Sequence, residues 1–151
     1  MNPCEIVELE PQPAAVVQGQ VPMAELPAFF GRAFGAVMEE VGRQGLDIVG
    51  PPFGYYREAP TQLIDVAAGF PVSAAIRPEG EVAPLLLPGG RALTVEHVGP
   101  YDTLQQTYGE LATWAEKNGL VTEDVMWESY LTDPDTEPPE NWQTRITWPL
   151  R

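Results

Sequence analysis

Apolar residues recur at steps of three and four along two stretches of the chain, which is the spacing of one face of a helix. The first stretch begins at Pro22 and stops at Gly45. The second follows Pro100-Tyr101-Asp102 and stops at Asn118-Gly119, with Asp102 predicted as the N-cap. The inward positions are Leu26, Phe29, Phe30, Ala33, Phe34, Val37, Met38 and Val41 in the first helix, and Leu104, Tyr108, Leu111 and Trp114 or Ala115 in the second. The spacing therefore places Phe29, Phe30, Phe34 and Trp114 in the core.

Runs typical of β-strands surround both predicted helices. Residues 5–10 and 14–20 predict one edge or bent strand, because Pro11 and Pro13 interrupt it. Gly89-Gly90 predicts a turn between two further strands, at 82–87 and 92–98. Two hairpins complete the pattern: residues 50–57 and 63–72 with a turn at 58–61, and residues 125–132 and 143–149 with the acidic loop 133–140.

The two halves of the chain, about 1–77 and 78–151, repeat the same order of predicted strands and helix. Phe53-Gly54-Tyr55-Tyr56 corresponds to Trp127-Glu128-Ser129-Tyr130, and Phe70-Pro71-Val72 corresponds to Trp148-Pro149-Leu150. Neither β-α-β-β repeat is large enough to bury its own sheet face. We therefore expect one α+β domain over 1–151, in which a pseudo-twofold axis relates the repeats and both helices pack on one side of a single antiparallel sheet. The other face of the sheet is left to solvent or to a ligand.

Composition narrows the partners. The chain has 8 basic and 22 acidic residues, a net charge of −14, which repels nucleic-acid phosphates and anionic membranes and attracts cations. Cys4 is the single cysteine and His97 the single histidine, so neither a disulfide nor a metal site is predicted, and no cofactor is expected. Because no leader or long apolar run occurs in the sequence, a cytoplasmic protein is expected.

Three motifs, in this order, resemble the GyrI-like small-molecule-binding family, whose module is also the effector-binding domain of AraC- and MerR-class transcription regulators. They are Glu96-His97-Val98-Gly99-Pro100-Tyr101, Trp127 to Pro134, and Thr144 to Leu150. The resemblance covers nearly the whole chain. It implies two repeats around a central groove that takes up bulky, often cationic or aromatic compounds. The regulators carry a helix-turn-helix domain ahead of this module, and since the chain has no residues for one, a stand-alone member is expected.

The family's ligand-facing glutamate matches Glu128, where the first repeat has Gly54. Glu128 and Tyr130 share one strand face, and if Trp127 and Leu131 face the helices, that face is the groove. Tyr56 pairs with Tyr130 across the pseudo-axis. The predicted ligand-binding residues are Glu128, Tyr130, Tyr56, Tyr55, Tyr101, Phe70 and Trp148.

Each of these positions has a plainer interpretation. Glu128 is alternatively an exposed strand acid and Tyr55 a core residue. Phe70 and Trp148 are alternatively sheet-to-helix contacts, and Tyr101 a packing residue at the helix junction. His97 is predicted to be structural, since no serine or cysteine nucleophile lies near it in sequence.

The sequence is consistent with three functions. The first is a binding protein that captures bulky, preferably cationic aromatic compounds through Glu128. The second is a hydrolase of strained, cyclopropane-type alkylating toxins, with Glu128 as general acid or base. The third is a regulatory or inhibitory partner protein whose loop 133–140 imitates nucleic-acid charge. The sequence leaves the choice between monomer and homodimer undecided.

Overall fold

A computed structural model describes residues 3–57, 63–133 and 136–151. The predicted turn at 58–61 and residues 134–135 of the acidic loop lie outside these ranges. Within them are two α-helices, α1 (Leu26–Arg43) and α2 (Leu104–Lys117). Each helix follows a single 3-10 turn, Met23–Glu25 or Tyr101–Thr103. No helix of the described residues is both long and apolar enough to cross a membrane.

The C-terminal ends of both helices agree with the prediction from the sequence, whereas the N-cap of α2 differs from it. Gly45 and Gly119 follow the helices with φ of 72° and 68°, a left-handed backbone that glycine adopts without strain. The prediction of Asp102 as N-cap is wrong. Asp102 lies inside the 3-10 turn, and the N-cap position belongs to Thr103.

Eight strands of the described residues form one antiparallel sheet. Along the sheet their order is β1-β6-β8-β7-β3-β4-β2-β5. The strands are β1 (Glu5–Leu9), β2 (Gln12–Val21), β3 (Phe53–Tyr56), β4 (Ile64–Pro71), β5 (Val82–Leu87), β6 (Gly90–Val98), β7 (Met126–Tyr130) and β8 (Gln143–Pro149).

The pairing confirms the predicted fold, two repeats in one sheet. The first repeat contributes β2, α1, β3 and β4, and the second contributes β6, α2, β7 and β8, with β3 pairing β7 where the repeats meet. Tyr56 pairs with Val66 in one repeat, and Tyr130 pairs with Thr144 in the other. Val66 and Thr144 each lie four residues before the corresponding Phe70 and Trp148, so this register agrees with the sequence correspondence of Phe53–Tyr56 to Trp127–Tyr130.

The single bent strand expected over 5–20 is instead two strands that join different repeats. β1 pairs with β6 of the second repeat, whereas β5 pairs with β2 of the first. The connection from β1 to β2 lies against the connection from β5 to β6. A side-chain carbon added at Gly89 would lie only 2.7 Å from Cδ of Pro11. The two repeats are therefore tied together by exchanged edge strands.

The helices cover one face of the sheet, and the sheet curls so that part of its other face is also buried. Tyr55 and Trp127 stack on that second face, with ring centroids 6.1 Å apart, and they are 8% and 6% exposed. Two expectations are therefore wrong: Trp127 does not face the helices, and the sheet face around it is not open to a ligand. The space between the repeats lies instead on the helix side.

Candidate functional site

A groove of about 2120 Å³ opens between α1 and α2 on the helix side of the sheet. Its floor is formed where β3 meets β7, by Tyr56, Glu128 and Tyr130. Side chains of α1 and α2 form its walls, among them Phe30 and Tyr108. The groove is larger than the ~300–1,000 Å³ that holds a typical drug-sized ligand.

Glu128 lies at the floor of this groove and is 7% exposed, which excludes the interpretation of an exposed strand acid. The Tyr130 hydroxyl donates a hydrogen bond to Oε1 of Glu128 at 2.9 Å, and the Tyr108 hydroxyl donates to Oε2. The Tyr56 hydroxyl lies 3.5 Å from that of Tyr130. Two hydroxyl donors thus orient the carboxylate in a site largely removed from water.

Burial raises the pKa of Glu128 above its ordinary value of 4.5, because desolvation penalises the charged form. The hydrogen bonds from Tyr108 and Tyr130, and the imidazole of His97, act in the opposite direction. The pKa values of Tyr56, Tyr108 and Tyr130 are raised as well, first by burial and then by the negative charge of Glu128. The three hydroxyls therefore keep their protons at neutral pH.

Aromatic rings surround the carboxylate. The ring of Phe30 meets the edge of Tyr130 at 5.7 Å and stacks on Phe34 at 5.6 Å, and Phe34 contacts Phe70 at 5.5 Å. On the other side, Tyr101 lies 5.8 Å from Tyr130. Such ring faces attract a cation brought close to them.

The structure brings six of the seven predicted ligand-binding residues to the groove. They are Glu128, Tyr130, Tyr56, Tyr101, Phe70 and Trp148. Tyr55 is the exception, because successive strand residues point to opposite faces and Tyr55 packs with Trp127 on the far side of the sheet. Tyr55 therefore lies in the core, which was its alternative interpretation, and not on the groove.

Helical spacing predicts Phe30 and Phe34 as core residues and Tyr108 as an inward position of α2. Phe30, Phe34 and Tyr108 are only partly buried and line the walls, whereas Phe29 is 4% exposed and belongs to the core. The repeat contained a signal for Tyr108. Gly19 of β2 pairs with Val66 of β4, and His97 of β6 pairs with Thr144 of β8, so Gly19 and His97 hold equivalent positions in the two repeats. They lie 78 residues apart, and the same step relates Phe30 of α1 to Tyr108 of α2. A phenol thus replaces a phenyl ring in the repeat where a carboxylate replaces glycine.

The outer part of the groove is acidic. Asp102, Glu123, Asp124 and Asp133 line it together with Glu128, and Arg57 is the basic residue among the described lining residues. Arg151 forms ion pairs with Glu123 and Asp124 at 3.4 Å. No group of three or more His, Cys, Asp and Glu residues within the described ranges is placed to hold a metal ion.

His97 has a structural environment, as predicted. Its Nδ1 lies 2.7 Å from the Thr107 hydroxyl, and its Nε2 lies 2.9 Å from the Thr103 hydroxyl. The Thr103 hydroxyl in turn donates to the Pro100 carbonyl at 2.8 Å. Both ring nitrogens therefore join β6 to the beginning of α2, beside a separate small pocket of about 280 Å³.

A comparison with protein families finds that residues 2–151 match the model of the GyrI-like small-molecule-binding domain. No curated protein matches the chain.

Solved structures match over almost the full length of the chain. The C-terminal domain of EcmrR superposes with a TM-score of 0.85 and 24% identity, covering 100% of this chain and 98% of that one. EcmrR in a DNA complex gives a TM-score of 0.82 at 24% identity and covers 99% of this chain, but this chain spans only 57% of the length of that EcmrR chain.

Two more distant structures share the fold. SAV2435 bound to tetraphenylphosphonium has a TM-score of 0.68 at 12% identity, covering 99% of this chain and 94% of that one. A hydrolase from Listeria innocua has a TM-score of 0.68 at 15% identity, covering 98% and 91%. At these identities the likeness establishes the fold alone.

Proposed function

The chain belongs to the GyrI-like small-molecule-binding family, and on that premise we propose that it captures bulky, preferably cationic aromatic compounds in the groove between α1 and α2. Glu128 supplies the charge that holds the cation, and Tyr56, Tyr101 and Tyr130 supply rings around it.

One observation carries this proposal: a carboxylate is buried on the groove floor, and no arginine or lysine of the described residues forms an ion pair with it. Glu128 is 7% exposed, and its described hydrogen-bond partners are the neutral hydroxyls of Tyr108 and Tyr130. Within the described residues, the ion pairs join arginines to other acids. A cationic ligand would supply the missing countercharge and offset the desolvation of the carboxylate.

The magnitudes are sufficient for useful affinity. An opposite charge about 4 Å from the carboxylate contributes roughly 4 kcal/mol at an effective dielectric near 20, before desolvation is subtracted. Each aromatic face in contact with the cation adds about 0.5–2 kcal/mol. Burial of the ligand's apolar surface adds to these contributions, and micromolar binding requires about 8 kcal/mol.

Tetraphenylphosphonium is the natural probe, because SAV2435, a distant relative in fold, is described as bound to it. Calorimetric titration of wild type and Glu128→Gln tests the charge, and we expect the variant to lose at least about tenfold in affinity, or 1.4 kcal/mol. Glu116→Gln, the same change at an exposed position of α2, serves as the matched control and should bind like wild type. Equal affinities for all three proteins would refute the role of Glu128.

A hydrolase of strained, alkylating compounds is the second candidate, favoured by the raised pKa of Glu128. A carboxyl group with a raised pKa exchanges protons with a substrate closer to neutral pH, which typically contributes about 10²–10⁴-fold in rate. One of the structures with this fold is described as a hydrolase. Product that accumulates beyond one equivalent of protein would favour this candidate, whereas stoichiometric protection of the compound would favour capture.

A further inference from the structure

The two repeats contribute chemically different halves to one groove. Residues of α1, β3 and β4 line the first-repeat half, and residues of α2, β7 and their flanking loops line the second-repeat half. The two halves have diverged in character although the same backbone unit builds both.

The first-repeat half is apolar. Its lining includes Leu26, Phe30, Phe34, Met38, Ile64 and Phe70, and no acid among the described residues lies on it. The three phenylalanine rings form a continuous surface, with centroid distances of 5.6 Å from Phe30 to Phe34 and 5.5 Å from Phe34 to Phe70. Met38 also lines this half and is 51% exposed.

The second-repeat half is acidic. It holds Glu128 on the floor, with Asp102, Glu123, Asp124 and Asp133 farther out. Tyr108 stands where the first repeat has Phe30, and its hydroxyl donates to Glu128. The border between the halves runs through the β3–β7 ladder, in which Gly54 is the direct partner of Glu128.

Gly54 keeps its side of this border free of polar groups. A side-chain carbon there would lie 3.0 Å from Cζ of Phe30 and 3.0 Å from the Tyr130 hydroxyl. The ring of Phe30 thus occupies the place next to the carboxylate where a second acid would otherwise stand. A ligand bound to Glu128 has the acidic half on one side and the phenylalanine surface on the other.

From this division we propose that the preferred ligands are amphiphilic monocations, with a single cationic head at Glu128 and an extended apolar tail over Phe30, Phe34 and Phe70. The inference rests on the proposed function and narrows its ligand class. A symmetric cation leaves either the acidic or the apolar half unmatched, whereas a head-and-tail ligand satisfies both.

The first-repeat lining argues against a second cationic group at the other end of such a ligand. A second positive charge placed over this half would have no acid of the described first-repeat lining to pair with. Arg57, the basic residue of this lining, has its guanidinium 6.0 Å from the ring centroid of Tyr55, on the far side of the sheet. The flexible side chain of Met38 suits tails of differing shape.

Alkyltrimethylammonium ions of increasing chain length, used below their micelle concentrations, test the inference by calorimetry. Affinity for wild type should rise about fourfold for each added methylene until the tail fills the apolar half, which corresponds to about 0.8 kcal/mol per buried methylene. Tetramethylammonium, which has the head without the tail, should bind weakest.

Variants locate the tail. Met38→Gln changes an exposed position and should reduce the chain-length dependence at long tails, and Phe34→Ala should reduce it at shorter ones. Leu86→Gln makes a similar change at a 60% exposed position on β5, outside the groove lining, and should leave the dependence as in wild type. Thermal unfolding of each variant separates loss of the surface from loss of the fold.

The outcomes separate this inference from the proposed function. If short and long ions bind equally well, or the dependence survives both groove variants, the head-and-tail orientation is wrong while cation capture stands. If uncharged alkanols of the same length bind as tightly as the ammonium ions, the cationic head is unnecessary and both proposals fail. Failure of every cation to bind also refutes both.

Discussion

Gly54 lies directly opposite Glu128 in the β3–β7 ladder, and the ring of Phe30 fills the space beside it. The pair stands where the two repeats meet, so the pseudo-twofold axis relates a glycine to a buried acid. Because the first repeat leaves this place to an aromatic ring, the groove holds one buried carboxylate in place of two that would repel each other.

Gly54→Ala should disturb the site through steric contact with Phe30 and Tyr130. The added carbon would lie 3.0 Å from the Tyr130 hydroxyl, which must move, and that hydroxyl donates to Glu128. We expect a loss of about 1–2 kcal/mol in unfolding free energy, together with weaker binding of tetraphenylphosphonium. Urea unfolding and calorimetry measure the two effects.

Gly35→Ala is the control for that change, because nothing lies within 4 Å of an added carbon at this position of α1. Alanine is the better helix former, so a gain of up to about 1 kcal/mol is expected there. If Gly54→Ala behaved like Gly35→Ala, the tight contact with Phe30 and Tyr130 would be disproved.

Gly69→Ala should damage the fold itself. A carbon at Gly69 would lie 1.8 Å from the backbone oxygen of Ala15, so β2 and β4 would have to separate. We expect a loss of about 3 kcal/mol or more, seen as a lower midpoint of thermal unfolding. The same substitution at Gly109 of α2, with open space around it, should be neutral or stabilising. A small effect at Gly69 would contradict the strand spacing.

The fold follows from the sequence because its signals are local and occur twice. The helical spacing of α1 and α2 and the paired segments Phe53–Tyr56 and Trp127–Tyr130 identify the two repeats. The strand exchange is not visible in this way. Whether residues 5–9 pair with their own repeat or with the other depends on contacts between residues far apart in sequence, such as Ile6 with Leu93.

The site was predictable wherever strand alternation and the repeat agreed. They place Glu128, Tyr130 and Tyr56 on one face, as the structure does. The predicted direction of that face is wrong, because alternation gives two faces without saying which one the helices cover. Helical spacing predicts Phe30 and Phe34 as core residues, because it marks an apolar stripe and does not distinguish burial under a helix from a wall beside a groove.

Stability should depend on pH through Glu128. Because burial raises its pKa, the folded protein keeps this proton to a higher pH than the unfolded chain does. From about 4.5, the ordinary value, up to the raised pKa, the folded state binds more protons, so the contribution of Glu128 to stability falls as pH rises. Glu128→Gln should therefore gain stability relative to wild type across this window and level off above it.

Urea unfolding of both proteins at a series of pH values measures this difference. Glu116→Gln removes an exposed glutamate of α2, and its stability relative to wild type should show no comparable rise. A constant difference between Glu128→Gln and wild type across the window would mean that burial does not raise the pKa of Glu128.

At a pH below the raised pKa of Glu128, cation binding should release a proton, because the carboxylate is the form that pairs with a cation. Affinity for tetraphenylphosphonium should therefore increase with pH, up to tenfold per unit, until Glu128 is fully ionised. Calorimetry in buffers of different ionisation enthalpy counts the released protons. Affinity independent of pH across this window, with no proton released, would contradict the role of the carboxylate.

Tyr108→Phe should move that pH dependence upward. The Tyr108 hydroxyl donates to Oε2 of Glu128 and lowers the pKa of this carboxyl against the effect of burial. A hydrogen bond to a charged group contributes about 1.5–3 kcal/mol, so its loss should raise the midpoint of the affinity profile by about 1–2 pH units. Tyr55→Phe removes the same hydroxyl from the opposite sheet face and should leave the midpoint unchanged. A shift equal in both variants would trace the effect to general destabilisation, whereas a shift confined to Tyr108→Phe requires its bond to Glu128.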